Sequence, residues 1–382
     1  MITQSNLSIL KKIPTAIIGP GKVAHLHAKG LLNCENAEFV AICGRTPSKT
    51  DAFAAQYGVR SYRDLEEMIK AEKVEALIVC TPHPCHRDAV VRAARFGVHC
   101  LIEKPMAGTL QDCDDMLEAA RQYQVKLGVV SQRRFYEPVT RMKEAIEQGK
   151  IGETALGHII ILGWRDESYY KSDPWRGKWD TEGGGILVNQ APHQLDLFQW
   201  MMGPIDEVYG ITRNLNHPYI EVEDTAVAVV RFKNGGVGNI LLSNSQKPGI
   251  YGKIHIHGTN GASVGAQTEG GAMFIAGQTS VLEPPVNDIW TVPGEEYLPD
   301  IWKQRDQELF SRIDAAEHYI GLQIRDFMQA LAEERDPLVT GEEGRKTVEL
   351  FTAVYRSNRD HVPVTFPLFA ENRDDMDGRI KI

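Results

Sequence analysis

Over the first 130 residues, short apolar runs alternate with helix-like segments, and this alternation is the feature that most constrains the fold. The helix-like segments between the runs often end at glycine or are preceded by proline. Strands that are apolar throughout and alternate with helices are typical of a parallel sheet covered on both faces. The sequence therefore predicts an α/β fold that begins with a doubly wound parallel sheet. Its strands are predicted at residues 13–18, 38–43, 76–80, 98–102 and 125–130.

The pattern changes after about Arg133, where strand-like segments follow one another with few helices between them. The turn Lys233-Asn234-Gly235-Gly236 between two such segments predicts a hairpin, because Asn and Gly accept positive φ readily. We therefore expect a dinucleotide-type domain over residues 1–132. A second, α+β domain with a large, open, mostly antiparallel sheet is expected over 133–382, and the C-terminal helix could pack back on the first domain. Strands are predicted at 158–162, 207–212, 225–232, 236–243, 253–257 and 273–276, an irregular excursion at 284–299, and helices at 315–334 and 342–359.

The composition excludes several classes of protein. The chain has 382 residues, 42% of them hydrophobic, and a formal net charge of -9, which disfavours binding to nucleic acid through phosphate contacts. No apolar run is long enough to span a membrane, and the first residues do not resemble a signal peptide. Six cysteines in a chain of this length do not form a disulfide scaffold. We expect a cytoplasmic protein that binds neither nucleic acid nor membrane.

The segment Gly19-Pro20-Gly21-Lys22-Val23-Ala24 matches the G-x-G-x-x-A pattern between a strand and a helix. Gly19 permits the tight turn, Gly21 lets a pyrophosphate approach the backbone, and Ala24 lets helix and strand pack closely. A diphosphate is stabilised at the helix N-terminus by free N–H groups and by the helix dipole. The motif predicts a Rossmann-type NAD(P) site that includes Lys22 and Val23.

The end of the second strand bears on the choice between NAD and NADP. An NAD site usually places an acidic residue there, whereas this chain has Gly44 followed by Arg45 and Thr46, with Lys49 nearby. Arg45 and Thr46 could contact a 2′-phosphate, which favours NADP; alternatively, Arg45 stacks on the adenine of either cofactor.

The segment from Cys80 to His86 contains two cysteines and two histidines, which suggests a zinc site at first. Two prolines separate the ligands, and the second Cys/His pair expected of a structural zinc site is missing. We therefore predict no metal, and place this turn beside the cofactor at the carboxyl end of a central strand.

Six motifs, in this order, make the chain resemble the Gfo/Idh/MocA oxidoreductases, which include glucose–fructose oxidoreductase and inositol dehydrogenase. The resemblance covers nearly the whole chain and implies an N-terminal Rossmann domain followed by an α/β domain with a large open sheet. The motifs are GPGKVAHLH at 19–27, TPHPCH at 81–86, FGVHCLIEKPMAGTL at 96–110, SQRRF at 131–135, GGGILVNQAPHQLD at 183–196 and the helical segment 326–357.

The resemblance implies roles for individual residues. Lys104 matches the lysine that hydrogen-bonds the reacting hydroxyl, and His193 matches the histidine that exchanges its proton. Many members carry Asp where this chain has Asn189, so Asn189 is interpreted as a substrate ligand, and Asp196 as an anchor of its helix. Further cofactor contacts are implied at Thr81, Pro82, His83, His86, Glu103, Lys104, Gln132 and Arg133.

The glycines 183–185 are interpreted as bare backbone that passes close to the nicotinamide. Aromatic and basic side chains cluster just before them, and such surfaces suit a polyhydroxylated ring. We expect the substrate to contact Arg165, Tyr169, Trp175 and Arg176.

The predicted function is an NAD(P)-dependent oxidoreductase that transfers a hydride between the nicotinamide and a secondary alcohol or ketone of a sugar, glycoside or cyclitol. Two alternatives remain open: an NAD-dependent glycoside hydrolase of the same family, and a catalytically silent, NADP-binding regulatory protein. The resemblance also implies a homodimer or homotetramer.

Overall fold

Two separate β-sheets organise the chain in a computed structural model that describes residues 12–247, 251–270, 283–371 and 377–379. The first is a six-stranded parallel sheet with the order β3-β2-β1-β4-β5-β6. The strand β4 at its centre is entirely buried, which fits a sheet covered on both faces. The strands are β1 Ile13–Ile18, β2 Ala37–Cys43, β3 Arg60–Tyr62, β4 Ala76–Val79, β5 His99–Ile102 and β6 Leu127–Val129.

Helices connect these parallel strands, and side-chain caps fix where some of them begin. The Asp64 carboxylate accepts a hydrogen bond from the Glu67 amide at 2.9 Å, and Thr109 accepts one from Asp112 at 3.2 Å. Such caps satisfy N–H groups that have no partner within the helix. The connecting helices are α1 Lys22–Leu32, α2 Pro47–Tyr57, α3 Leu65–Glu72, α4 His86–Ala94 and α5 Leu110–Gln122.

The second sheet has eight strands in the order β13-β12-β11-β7-β10-β9-β8-β14. All neighbouring pairs are antiparallel except β7 and β10, which are parallel. Buried and exposed residues alternate along β9, so one face packs on the core and the other faces outward. The strands are β7 Thr154–Leu162, β8 Ile205–Arg213, β9 Thr225–Phe232, β10 Val237–Ser243, β11 Tyr251–Gly258, β12 Ser263–Gly270, β13 Val286–Trp290 and β14 Val364–Thr365.

A late helix returns to the first sheet after the chain has built most of the second. Ile324 and Phe327 of this helix join a buried cluster with Ile17 and Leu101 of the first sheet. A Cβ at Gly30 of α1 would lie 2.5 Å from Ile324 Cδ1, so the two helices approach closely. The helices of this part are α6 Glu137–Glu147, α7 Glu167–Lys171, α8 Trp179–Glu182, α9 Ile186–Asn189, α10 Pro192–Met202, α11 Leu298–Phe310, the returning α12 Ala315–Ala332 and α13 Gly341–Asp360.

The predicted fold class is confirmed, and the differences are local. The sequence pattern predicts no strand or helix over residues 58–72, whereas the structure has β3 and α3 there. The irregular excursion predicted at 284–299 is wrong, because β13 pairs with β12 there. The strand predicted at 273–276 lies outside the described residues. In the described part of the chain, no helix has both the length and the apolarity needed to cross a membrane.

Candidate active site

The turn between β1 and α1 has the geometry that the glycine motif predicts. Gly19 has a φ of +97°, and a Cβ there would lie 2.8 Å from backbone atoms of Cys80, so only glycine fits. By contrast, a Cβ at Gly21 would meet nothing within 4 Å, which leaves open space in front of the helix N-terminus. Ala24 is fully buried. This turn has the shape that a dinucleotide pyrophosphate requires.

A cleft of about 380 Å³ begins at this turn and is lined by residues of both sheets' domains. Two buried polar atoms of residues on it, Thr81 Oγ1 and Gln132 Oε1, have no hydrogen-bond partner among the described residues. Buried polar atoms normally have partners, so both atoms suit a polar ligand. The residues present therefore fit NAD, which the glycine turn and the N-terminus of α1 would hold, with Thr81 and Gln132 beside it.

Most of the residues predicted for the site line this one cleft. They are Gly21, Lys22, Val23, Thr81, Pro82, His83, His86, Glu103, Lys104, Gln132, Arg133, Arg165, Tyr169, Trp175, Arg176, Asn189 and His193. Gly19 and Ala24 shape the turn instead of lining the cleft.

Arg45 and Thr46 lie apart from this lining, exposed after the end of β2. The preceding Gly44 is buried, and a Cβ there would lie 2.5 Å from Thr50 Oγ1 and 2.6 Å from Pro20. An acidic side chain at position 44 would therefore require a local rearrangement. The first side chains available beyond β2 are those of Arg45 and Thr46.

Lys104 follows β5 and reaches across to the second domain. Its Nζ donates a hydrogen bond to the backbone carbonyl oxygen of Asn189 at 2.8 Å. Glu103 before it accepts hydrogen bonds from the Lys104 amide at 3.0 Å and from His27 Nε2 of α1 at 2.7 Å. The start of this loop is thus tied to the helix that follows the glycine turn.

His193 is the second residue of α10, which begins at Pro192 as proline in a first helical turn predicts. Its Nδ1 is buried and has no hydrogen-bond partner among the described residues. Burial, together with the positive charges of Arg133 and Lys104, lowers the pKa of His193 well below its usual range. The imidazole is therefore neutral near pH 7 and able to accept a proton.

Asp196, three residues after His193, forms a buried ion pair with Arg134. Its Oδ1 lies 2.6 Å from an Arg134 guanidinium nitrogen, and its Oδ2 accepts a hydrogen bond from Ser131 Oγ at 2.5 Å. These contacts join α10 to the turn that follows β6, which is the anchoring role that the sequence favoured.

The three glycines before α9 serve packing inside the second domain. A Cβ at Gly185 would lie 1.8 Å from the Glu223 carbonyl oxygen, and a Cβ at Gly184 would lie 2.3 Å from the Tyr355 hydroxyl. Gly183 has a φ of +76° at the end of α8. The interpretation that this bare backbone faces the nicotinamide is therefore wrong, because protein atoms occupy the space.

An aromatic and basic wall faces the glycine turn across the cleft. The Arg176 guanidinium carbon lies 4.3 Å from the Tyr169 ring centroid and 4.5 Å from that of Trp175. Arg165 lies 5.2 Å from the Tyr169 ring. Lys22 Nζ and Asp173 Oδ2 are 3.8 Å apart, so a weak ion pair links the wall to the helix α1.

The histidines of the Cys80–His86 segment contact backbone carbonyl groups. His83 donates to the Glu182 carbonyl oxygen across the domains, and the His86 ring nitrogens lie 2.8 Å from the Thr81 and 3.1 Å from the Met106 carbonyl oxygen. Among the described residues, no three His, Cys, Asp or Glu side chains converge as metal ligands would.

Comparison with known proteins identifies the family. Residues 13–131 match the family described as an oxidoreductase family with an NAD-binding Rossmann fold, and residues 139–264 match the GFO/IDH/MocA C-terminal domain. This chain belongs to the GFO/IDH/MocA family. It is an NAD-binding oxidoreductase.

The chain is similar to a curated dehydrogenase and to a dehydrogenase of known structure. Myo-inositol 2-dehydrogenase of Thermotoga maritima is 30% identical over 253 residues, which cover 64% of this chain and 72% of that protein. The crystal structure of the WlbA dehydrogenase from Bordetella pertussis, in complex with NADH and UDP-GlcNAcA, is similar with a TM-score of 0.82 and 30% identity. That match covers 94% of this chain and 99% of the other.

Sequence reasoning missed three buried residues whose side chains hold parts of the site in place. His27 orients Glu103, Arg134 pairs with Asp196, and Glu182 accepts a hydrogen bond from the Asn189 side chain. His27 lies in the motif GPGKVAHLH and Arg134 in SQRRF, but neither motif indicates that these side chains are buried. Glu182 directly precedes the three glycines, and a carboxylate next to glycines that allow close packing is the one sequence signal for its burial.

Proposed function

We propose that the protein transfers a hydride between a nicotinamide cofactor and a secondary alcohol or ketone carbon of a sugar, glycoside or cyclitol. The observation that carries the proposal is that Lys104 and His193 line the same cleft as the glycine turn. A cationic donor and a neutral imidazole beside a dinucleotide site are what alcohol oxidation needs.

In the direction of oxidation, the substrate hydroxyl loses its proton and its carbon loses a hydride. The Lys104 ammonium donates a hydrogen bond to the hydroxyl oxygen and stabilises its developing negative charge. The neutral His193 imidazole accepts the proton, and returns it in the direction of reduction. When bound, NAD(P) supplies the hydride chemistry at its nicotinamide ring.

The wall of the cleft supports a polyhydroxylated substrate, and the charges favour one that carries an acidic group. Aromatic rings suit the apolar face of a sugar, and the neighbouring arginines suit its oxygen atoms. One similar protein is named myo-inositol 2-dehydrogenase, and another was solved in complex with NADH and UDP-GlcNAcA. Cationic side chains on the cleft outnumber acidic ones: Lys22, Lys104, Arg133, Arg165 and Arg176 against Glu103 and Asp173.

For the cofactor, we propose a preference for NADP because Arg45, Thr46 and Lys49 are exposed where the adenosine ribose would lie. Arg45→Ala should then weaken NADP binding about tenfold or more while changing NAD binding less, since a charged contact to phosphate is lost. Titration of both cofactors by fluorescence checks this. Equal losses would leave only adenine stacking for Arg45.

The decisive experiment is reduction of NAD or NADP by the purified protein across a defined panel of substrates. The panel contains myo-inositol, scyllo-inositol, glucose, glucuronate, methyl glucoside, UDP-N-acetylglucosamine and its uronic acid. A rise in absorbance at the nicotinamide band with one of them supports the proposal. Hydrolysis of the glycoside without net reduction would favour the glycosidase alternative, and cofactor binding with no reaction would favour the regulatory one.

A further inference from the structure

A buried carboxylate lies beneath the substrate side of the cleft. Glu182, the last residue of α8, is 1% exposed and is absent from the lining of the cleft. Both of its side-chain oxygens accept hydrogen bonds: Oε2 from the Gly177 amide at 2.5 Å, and Oε1 from the Asn189 side-chain amide. An isolated buried carboxylate is costly, so these two N–H donors are what keeps it in place.

Asn189 is held at three points, two of them through its side-chain amide nitrogen. That nitrogen donates to Glu182 and lies 3.4 Å from the Tyr169 hydroxyl oxygen, while its backbone carbonyl accepts from Lys104. An asparagine amide has two N–H hydrogens and one carbonyl oxygen. With both hydrogens directed at Glu182 and Tyr169, the carbonyl oxygen Oδ1 is the atom left for the cleft, which Asn189 lines.

The Tyr169 hydroxyl oxygen is the second neighbour of the Asn189 amide, and other side chains also donate to it. Arg176 donates to it at 2.5 Å and Gln190 at 3.1 Å, in addition to Asn189. The Glu182 carboxylate offers no hydrogen that a flipped Asn189 carbonyl would need, whereas the Tyr169 hydroxyl has one O–H hydrogen and can pair with either orientation. Glu182 is therefore the group that decides the orientation.

We propose that Glu182 is a positioning residue that fixes the Asn189 amide so that its carbonyl oxygen accepts a hydrogen bond from a substrate hydroxyl. The inference rests on the proposed function and names one contact of its substrate site. The site then prefers a substrate that has a hydroxyl group opposite Asn189, because a substrate without this hydroxyl leaves Asn189 Oδ1 without a hydrogen-bond donor.

The test reverses the polarity of the Glu182–Asn189 hydrogen bond. In Glu182→Gln, the new amide faces a donor, so Asn189 should flip and present its NH₂ group to the cleft. In Asn189→Asp, two carboxylates face each other. In the double variant, the introduced glutamine can accept from the Gly177 amide and donate to the introduced carboxylate, which again presents an oxygen to the cleft.

We expect Glu182→Gln to raise KM for the best substrate of the panel by about tenfold or more, with a smaller change in kcat, as one polar contact is lost. The double variant should return KM to within about threefold of the wild type. Asp180→Asn on the same short helix is the matched control, because Asp180 is exposed. A normal KM in Glu182→Gln, or a double variant no better than the singles, would overturn the proposal.

The pH profile gives a readout that a merely structural role would not move. Burial raises the pKa of Glu182 to about 7, so its carboxylate form is lost as pH falls through neutrality. In the wild type, KM should rise as the pH falls below about 7. In Glu182→Gln, KM should not change with pH over this range. The charged and titratable groups around Glu182 are Arg176, Glu223, Tyr169, Tyr170, Tyr355 and, through the Glu182 carbonyl, His83.

Thermal unfolding of the wild type, the two single variants at Glu182 and Asn189, and the double variant separates this inference from the proposed function. If the hydrogen bond has the stated polarity, the double variant is more stable than the sum of the two single changes predicts, whether or not any sugar reacts. Absence of that coupling overturns the orientation. Coupling without turnover of any substrate by the wild type would refute the proposed function alone.

Discussion

At the scale of single residues, the proposed chemistry depends on Lys104 and His193, which line one cleft. Lys104→Met and His193→Ala should each lower kcat by about 10²–10⁴-fold, since a proton-transfer or charge-stabilising group is removed. Cofactor affinity, measured by fluorescence titration, should change little. Normal turnover in either variant would contradict the assignment of the catalytic pair.

The charge beside His193 gives a second prediction at this scale. Burial is the main cause of the lowered pKa of His193, and Arg133 and Lys104 lower it further. Arg133→Gln removes one positive neighbour and should raise that pKa. The fall of kcat for oxidation on the acidic side should then begin at a higher pH than in the wild type, as measured at saturating substrate and cofactor. If the acidic side of the kcat–pH profile does not move, the protonation of His193 does not control it.

At the scale of elements, α10 carries His193, and its position depends on the Asp196–Arg134 pair. Both side chains are almost fully buried, with 6% and 2% exposed. Asp196→Ala should lower the free energy of unfolding by about 3 kcal/mol, because it removes the more deeply buried of the two carboxylates that pair with the Arg134 cation and leaves only Glu343. Asp336→Ala, which breaks the exposed pair with Lys126, is the control and should cost less than about 1 kcal/mol. Similar losses from the two variants in denaturant titration would contradict this role.

The glycines before α9 belong to the same scale. Gly185→Ala places a methyl group against the Glu223 carbonyl oxygen. We expect a loss of about 1–3 kcal/mol in the free energy of unfolding, as overpacking of a rigid site gives. Gly21→Ala is the control, because a Cβ at position 21 would meet no protein atom within 4 Å. It should leave the free energy of unfolding unchanged while weakening cofactor binding. Gly58→Ala is unsuitable as a control because Gly58 has a positive φ. A stable Gly185→Ala protein would show that the backbone there can move.

At the scale of the whole molecule, the outer face of the second sheet exposes several large apolar side chains that no other described residue covers. Neighbouring strands in register expose Leu156, Ile211, Val227, Val229 and Val237, with Val229 58% exposed. Apolar patches of this kind usually mark an interface, so we predict a homodimer or homotetramer through this face. Light scattering after gel filtration should give the mass of the oligomer, and Val229→Lys should shift that mass toward the monomer. Leu32→Lys, at an equally exposed leucine in the first domain, should not. A monomeric wild type would contradict the prediction.

The sequence by itself determined the two sheets and the glycine turn, because these depend on local periodicity and on a motif with fixed spacing. The pair Lys104 and His193 came from the family resemblance and stays a prediction. Ile13–Ile18 and Thr225–Phe232 were predicted with the bounds that the structure has. The short β3 and the strand Val286–Trp290 were missed, since their pairing partners are what stabilises them. Only the tertiary structure decided which atoms meet: the glycines 183–185 against Glu223 and Tyr355, Asp196 against Arg134, and Glu182 beneath Asn189. The physical reason is that these are contacts between residues distant in sequence or buried among side chains, and their energies depend on packing and desolvation that local patterns do not encode.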